Sequence, residues 1–243
     1  MPSEKIYAHL LGTMTFYVDE QALLLPDSLV GRRLLAYLIL HRDRTHARSV
    51  VIGLFWPDIS ESRARRALSQ ALWHIRQRFP NLIETSNETI TISDQAAIWT
   101  DIENFEALVK PHLTTGGSSI AYSDIEKGLQ LYRGDLLEGI YDDWALLERE
   151  RYHELYLRGL EKFSQLEKSA GNYAHALEII QKLLQINPLQ ESIHREAMRL
   201  YYKLGKPNAA MRQYETCCKI LQDEFVCPQR FLDKYSEILM EAF

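Results

Sequence analysis

The chain's 243 residues suffice for two ordinary domains with separate cores, and 46% hydrophobic with 25% charged residues describe a chain that folds throughout. A net charge of −5 argues against a protein that coats nucleic acid along its whole surface, so contact with a polyanion has to be local. The N-terminus lacks a basic segment followed by an apolar one, and no run of about 18 apolar residues occurs, so a cytoplasmic chain without a membrane segment is expected.

In chain order, residues 6–11, 13–18 and 22–25 predict three short strands, separated by Gly12 and by the polar turn Asp19-Glu20-Gln21, and together a small antiparallel sheet. Residues 29–41 carry Leu34, Leu35, Leu38 and Ile39 at helical spacing. A second helix is expected over 50–56, capped by Ser49 and stopped by Pro57. After Asp58-Ile59-Ser60, residues 61–79 form a third helix without internal Gly or Pro. Residues 82–85 and 89–92 then read as a hairpin around Ser86-Asn87-Glu88. Helix, turn, helix, hairpin is the winged-helix order.

From residue 102 onward strand signals vanish, and 114–119 form the one flexible-looking break in a helical remainder. Weak similarity recurs at 34 residues, pairing Leu166 with Leu200, Gly171 with Gly205, Ala176 with Ala210 and Leu177 with Met211. That is the tetratricopeptide period, although ordinary antiparallel helices could imitate it over only two units. The expected fold is mainly α. A winged helix-turn-helix with a small antiparallel β-sheet and a wing hairpin fills 1–98, and an all-α tetratricopeptide-like helical-repeat domain fills 99–243.

The densest one-sign segment lies in the third helix. Residues 62–83 contain no Asp or Glu but include Arg63, Arg65, Arg66, Arg76 and Arg78. At about 100° per residue, Leu68, Leu72, Ile75 and Phe79 form a core stripe with Ala64 and Ala71 at its margin. Opposite lie Arg66, Gln70, Trp73 and Gln77; Arg65, Ser69 and Arg76 run down one flank, Arg63 and His74 down the other. Arg pairs with guanine and Gln with adenine through two hydrogen bonds each, an apolar ring meets a thymine methyl, and flanking cations hold phosphates. A merely solvated face is the plain alternative, but such a face normally alternates acid with base at i, i+4. Trp73 either meets a partner or packs under the hairpin. Arg42, Arg44, His46 and Arg48 precede the second helix, where they either face a phosphate or form an ordinary polar loop. The candidate DNA-binding set is therefore Arg63, Arg65, Arg66, Ser69, Gln70, Trp73, His74, Arg76, Gln77 and Arg48, with double-stranded DNA as partner.

Catalysis and metals find little support. The histidines are scattered, G-x-S-x-G and H-E-x-x-H are absent, and Asp142, Asp143, Glu148 and Glu150 read as a solvated helix start. Cys217, Cys218 and Cys227 have neither an even count nor C-x-x-C spacing, so no metal and no cofactor are expected. The alternative to a DNA reader is a protein-binding scaffold of helical repeats in which the winged helix only packs.

The segment Ala64-Arg65-Arg66-Ala67-Leu68-Ser69-Gln70-Ala71-Leu72-Trp73-His74-Ile75-Arg76, preceded by Leu54-Phe55-Trp56-Pro57, resembles the SARP/AfsR family of bacterial activators. Leu10-Leu11-Gly12, Trp99-Thr100-Asp101, Phe105-Glu106 and Leu131-Tyr132-Arg133-Gly134-Asp135-Leu136-Leu137 fit in the same order, so the resemblance covers almost the whole chain. It implies an OmpR-type winged helix, a bacterial transcriptional activation domain, binding to direct repeats near promoters and recruitment of RNA polymerase. Arg65, Arg66 and Arg76 match positions of basic character, whereas Ser69, Gln70 and Trp73 stand where relatives vary, so no operator carries over. The chain opens on the winged helix, so no upstream receiver domain is expected, and it has no G-x-x-x-x-G-K-[ST] pattern for a nucleotide-binding domain. A protein or small-molecule effector at the helical repeats and a homodimer stay open.

Overall fold

The computed structural model describes residues 5–114 and 122–224. Three strands open the chain: β1 (Ile6–His9), β2 (Thr15–Val18) and β3 (Gln21–Leu23). They are antiparallel neighbours, and β7 (Ile98–Thr100) joins the free edge of β1 in parallel, giving the order β3-β2-β1-β7. Alternation follows the pleat. Ala8 and Phe16 face the core, while Tyr17, Tyr7 and Trp99 lie side by side across three strands on the outer face. The β2–β3 hairpin turns through Asp19 and Glu20, both at positive φ as a two-residue hairpin loop requires.

The core of the winged helix is built by α1 (Leu29–Leu40), α2 (Arg48–Phe55) and α3 (Glu61–Arg78). Leu34, Leu35 and Leu38 of α1 meet Leu68, Leu72 and Ile75 of α3 in a layer closed to solvent. Phe16 stacks edge-on against Phe79 at 5.2 Å, tying the sheet to the end of α3. Strands β5 (Ile83–Thr85) and β6 (Thr89–Ile92) form the expected hairpin, and a two-residue β4 (His46–Ala47) adds to its other side in the order β4-β6-β5.

Ser28 caps α1 by accepting from the Gly31 amide at 3.3 Å, but Ser49 does not cap α2. That helix starts at Arg48 behind Ala47, with no side-chain cap; the Arg48 amide donates instead to the Glu88 carbonyl of the hairpin turn at 2.8 Å. An orphan N–H of the helix start is thus satisfied by tertiary contact rather than by a local hydroxyl. The first strand stops at His9, short of residue 11, because the Leu10 and Leu11 amides leave the sheet. They donate to the carboxylate of Asp101, at 2.8 and 3.0 Å for Leu10 and 3.0 Å for Leu11.

Asp101 begins α4 (Asp101–Leu113), behind the Thr100 cap. α5 (Tyr122–Leu131) packs on α4, and the loop after it folds back on the first strand's exit. The Leu137 amide donates to Leu10 O at 2.8 Å, Glu138 to Gly12 O at 3.1 Å, and Gly12 to Asp135 O at 3.0 Å. Gly12 has φ +104, which suits glycine alone at this close approach of two backbones. Arg149 of α6 (Asp143–Ser169) closes the same loop, donating to the carbonyls of Leu136, Leu137 and Ile140, each at 2.8 Å.

The chain divides into two compact units inside α6, the first ending at Tyr156 and the second beginning at Leu157. In the second, α7 (Tyr173–Ile186), α8 (Glu191–Lys203) and α9 (Pro207–Glu224) pack in succession. The 34-residue period reappears as hydrogen bonds. The Asn172 amide donates to Glu167 O and Gly171 to Lys168 O; Lys206 donates to Tyr201 O and Gly205 to Tyr202 O. Both sets are the helix-ending motif that wants glycine at positive φ, and Gly171 and Gly205 sit at +81 and +69. His194 receives Gln213 Nε2 at Nδ1 (2.7 Å) and faces Pro188 O with Nε2 (2.8 Å), which assigns its proton to Nε2. Cys217 is buried, whereas Cys227 and all but the first residue of the expected break at 114–119 lie outside the described residues. No helix among the described residues is long and apolar enough to cross a membrane.

The Asp101 side chain is 1% exposed and holds two amides that have no other acceptor in the strand ladder. Replacing Asp101 by Ala strands both in a dry interior, and urea unfolding is expected to show a loss of about 2–4 kcal/mol. A loss below about 0.5 kcal/mol, the range of an ordinary surface substitution, would mean that the two amides are satisfied elsewhere.

Candidate nucleic-acid interface

α3 divides as its periodicity dictates. Ala64, Leu68, Ala71, Leu72 and Ile75 are buried, and every fully exposed position is polar or charged except Trp73. Trp73 is 56% exposed, edge-on to His74 at 5.0 Å, so it does not pack under the hairpin. Arg63 and Arg66 are exposed and make no side-chain hydrogen bond or ion pair among the described residues. With Gln70, Trp73 and Gln77 they form an outer row uncommitted to the protein's own structure.

The flank nearer α2 is different. Arg48, Ser49, Glu61, Arg65 and Ser69 line a groove of about 960 Å³ that runs between α2, the start of α3 and the turn at Ser86-Asn87-Glu88. Arg65 donates to Glu61 Oε1 from Nε at 3.0 Å and from Nη2 at 2.5 Å. The Ser69 hydroxyl donates to the Arg65 carbonyl at 2.9 Å, so in this state it offers only lone pairs, and Arg48 Nη2 lies 3.5 Å from them. The turn across the groove is stiffened by Ser86 Oγ, which accepts from the Glu88 and Thr89 amides at 3.1 and 3.0 Å. Arg76, on the same flank, donates to Thr85 Oγ1 at 2.5 Å and so ties the hairpin to α3.

The predicted residues thus separate into three groups. Arg48, Arg65 and Ser69 come together in the groove; Arg63, Arg66, Gln70, Trp73, His74 and Gln77 stay on the open faces of α3; Arg76 is held by the hairpin. Glu61 and the 86–88 turn were not singled out from sequence. The i, i+4 spacing of Glu61 to Arg65 is the signal that marks the former.

The fold is a winged helix followed by helical repeats, and its parts match known proteins in that order. Residues 100–232 match the family described as bacterial transcriptional activator domain. Over 216 residues the chain is 23% identical to the regulatory protein AfsR of Streptomyces coelicolor, covering 87% of this chain and 22% of that protein. The structure of Mycobacterium tuberculosis EmbR in complex with a low-affinity phosphopeptide superposes with a TM-score of 0.76, covering 98% of this chain and 66% of that one at 16% identity. The chain therefore spans about a fifth of the length of AfsR and two thirds of the EmbR chain. The domain match covers more than half of the chain, and the structural likeness extends over both the winged helix and the helices behind it. The chain belongs to the family of the bacterial transcriptional activator domain.

The run before α2 does not act as a block. Arg42 turns to α4, pairing with Glu103 and donating to Ile98 O at 2.9 Å, and His46 is buried with Nε2 3.0 Å from His41 O. Only Arg48 reaches the groove; Arg44 is exposed on the loop. Burial pushes His9, His41 and His46 below the ordinary imidazole value, with Arg44 adding to the effect at His41 and His46. A group held neutral in the folded state takes up protons on unfolding below about pH 6.5, so stability rises with pH through that window and is lost as pH falls. Chemical denaturation at pH 7.5 and 5.5 is expected to give a smaller drop for His46→Gln than for wild type; equal drops would remove His46 from the account.

Proposed function

We propose that the chain is a sequence-specific DNA-binding transcription regulator that enters the major groove with α3, and that it acts as an activator at repeated promoter sites by recruiting RNA polymerase. One observation carries the reading: the outer row of α3, Arg63, Arg66, Gln70, Trp73 and Gln77, is exposed, free of carboxylates and uncommitted within the fold. An exposed tryptophan is unfavourable in water, and a DNA groove supplies partners both for its ring and for the guanidiniums beside it. Residues 1–98 form the reading module in this view and 99–243 the activating one, at work in the cytoplasm with no catalytic step. On DNA, Arg66 and Gln70 read bases, Arg63 and His74 flank them, Arg48 with Arg65 and Ser69 engages from the groove side, and Arg76 holds the hairpin against α3. The −5 net charge keeps the rest of the surface from contributing.

The test is to incubate the protein with sheared genomic DNA from its source, recover bound fragments at 50 and 200 mM salt, and repeat with Arg66→Ala. About four phosphate contacts predict a loss of roughly 100-fold in affinity between the two salts. Enriched fragments upstream of genes with a shared repeated motif, weakened by on the order of tenfold or more in the variant, are expected. If wild type enriches nothing at low salt, the reading fails for this chain.

A further inference from the structure

We infer that Glu61 is a specificity-determining positioning residue of the DNA interface: by gripping one edge of the Arg65 guanidinium, it aims the other at guanine. The inference rests on the DNA-reading function proposed above. Glu61 is the one carboxylate on α3, and it stands at the first residue of that helix, the end that approaches base edges when such a helix enters a major groove. Both partners line the groove, at 71% and 68% side-chain exposure. An acid at this place repels phosphates, in a helix that carries no other acid. As an exposed i, i+4 pair it adds little to folding stability. Its effect on Arg65 is the larger one.

The geometry is directional. Nε and Nη2 of Arg65 both point at Glu61 Oε1, at 3.0 and 2.5 Å, so the side chain is held by its inner edge. The guanidinium carries five N–H groups in one plane. Three are left over, and two of them, one from Nη1 and the second hydrogen of Nη2, form the outer edge as parallel donors at the spacing of guanine O6 and N7. Below, the Arg65 backbone carbonyl is occupied by the Ser69 hydroxyl, which in turn faces Arg48 Nη2 at 3.5 Å. Without Glu61 the long side chain is free to swing to the nearest phosphate, where it reads nothing.

The experiment selects binding sites from a random duplex pool with the full chain as wild type, Glu61→Ala, Glu61→Gln and Arg65→Ala. It then measures affinity for the selected site and for one in which the guanine lost with Arg65→Ala is changed to adenine. Wild type is expected to discriminate against the change by on the order of tenfold or more, and Arg65→Ala not at all. Glu61→Ala should lose most of that discrimination at this base pair while binding unrelated DNA as well as wild type or better; Glu61→Gln, which keeps an acceptor oxygen, should retain part. Undiminished guanine discrimination in Glu61→Ala, or a uniform gain on every sequence with the preference intact, would overturn the assignment and leave the pair a charge neutraliser. A wild type that selects no sequence would overturn the DNA reading itself, and this assignment with it.

Discussion

A single buried carboxylate determines how the first unit is put together. Asp101 accepts from the amides of Leu10 and Leu11, ends the first strand there, and starts α4 in the same place. Burial pushes its pKa up from the ordinary carboxylate value, against the pull of those two amides and of His9. The ionised form is therefore disfavoured at this site, and the amides offset part of that cost. What the arrangement secures is a fixed crossing of two backbones: with Leu10 and Leu11 held, Gly12 lies against 134–138, where three further main-chain hydrogen bonds form.

The consequence is that the winged helix and the first helices of the activator region share one core. Arg33 of α1 pairs with Asp142 at 2.6 Å, Arg42 with Glu103, and Trp144 packs edge-on to Tyr37 at 5.3 Å and against Phe55 at 6.2 Å. Tyr37 and Phe55 belong to helices of the DNA-reading module in the proposed function. A flexible linker between the two regions would leave such groups solvated; here aromatic rings and ion pairs join helices on either side of residue 98. The family match begins at residue 100, yet the compact unit runs on to Tyr156. Sequence family and folding unit are delimited by different things, one by descent and the other by which side chains share a core.

Strong local patterns were legible in the sequence, and non-local contacts were not. The α3 stripe of Leu68, Leu72, Ile75 and Phe79 was readable because an amphipathic helix writes its buried face every three or four residues. The glycines 34 residues apart were readable because a helix end at positive φ leaves few choices of residue. By contrast β4 and β7, of two and three residues, exist only through β6 and β1, and nothing in their own composition announces them. The Ser49 cap failed for the same reason: a carbonyl forty residues away at Glu88 already serves the start of α2. Leu10 and Leu11 look like strand until Asp101 is in place. The blocks around Leu10, Asp101 and Gly134 stand far apart in the sequence, and in space they are one crossing.

The candidate site divides along the same line. An acid-free stretch identifies the outward face of α3, because absence of carboxylates is a local property that composition records. It cannot show which cations remain uncommitted. Arg63 and Arg66 stay free, Arg76 is spent on Thr85, and Arg42 on Glu103, although all four look alike in the sequence. The separation bears on how discrimination could arise. In the proposed function, a chain of net charge −5 has little general attraction for DNA to draw on, so a few aimed guanidiniums would supply both affinity and choice of sequence. Aiming requires partners, and a partner for an arginine is most often an acid, which itself repels DNA. An interface of this kind therefore trades non-specific affinity for direction, and the place to look for that trade is wherever a carboxylate stands among the cations of a reading face.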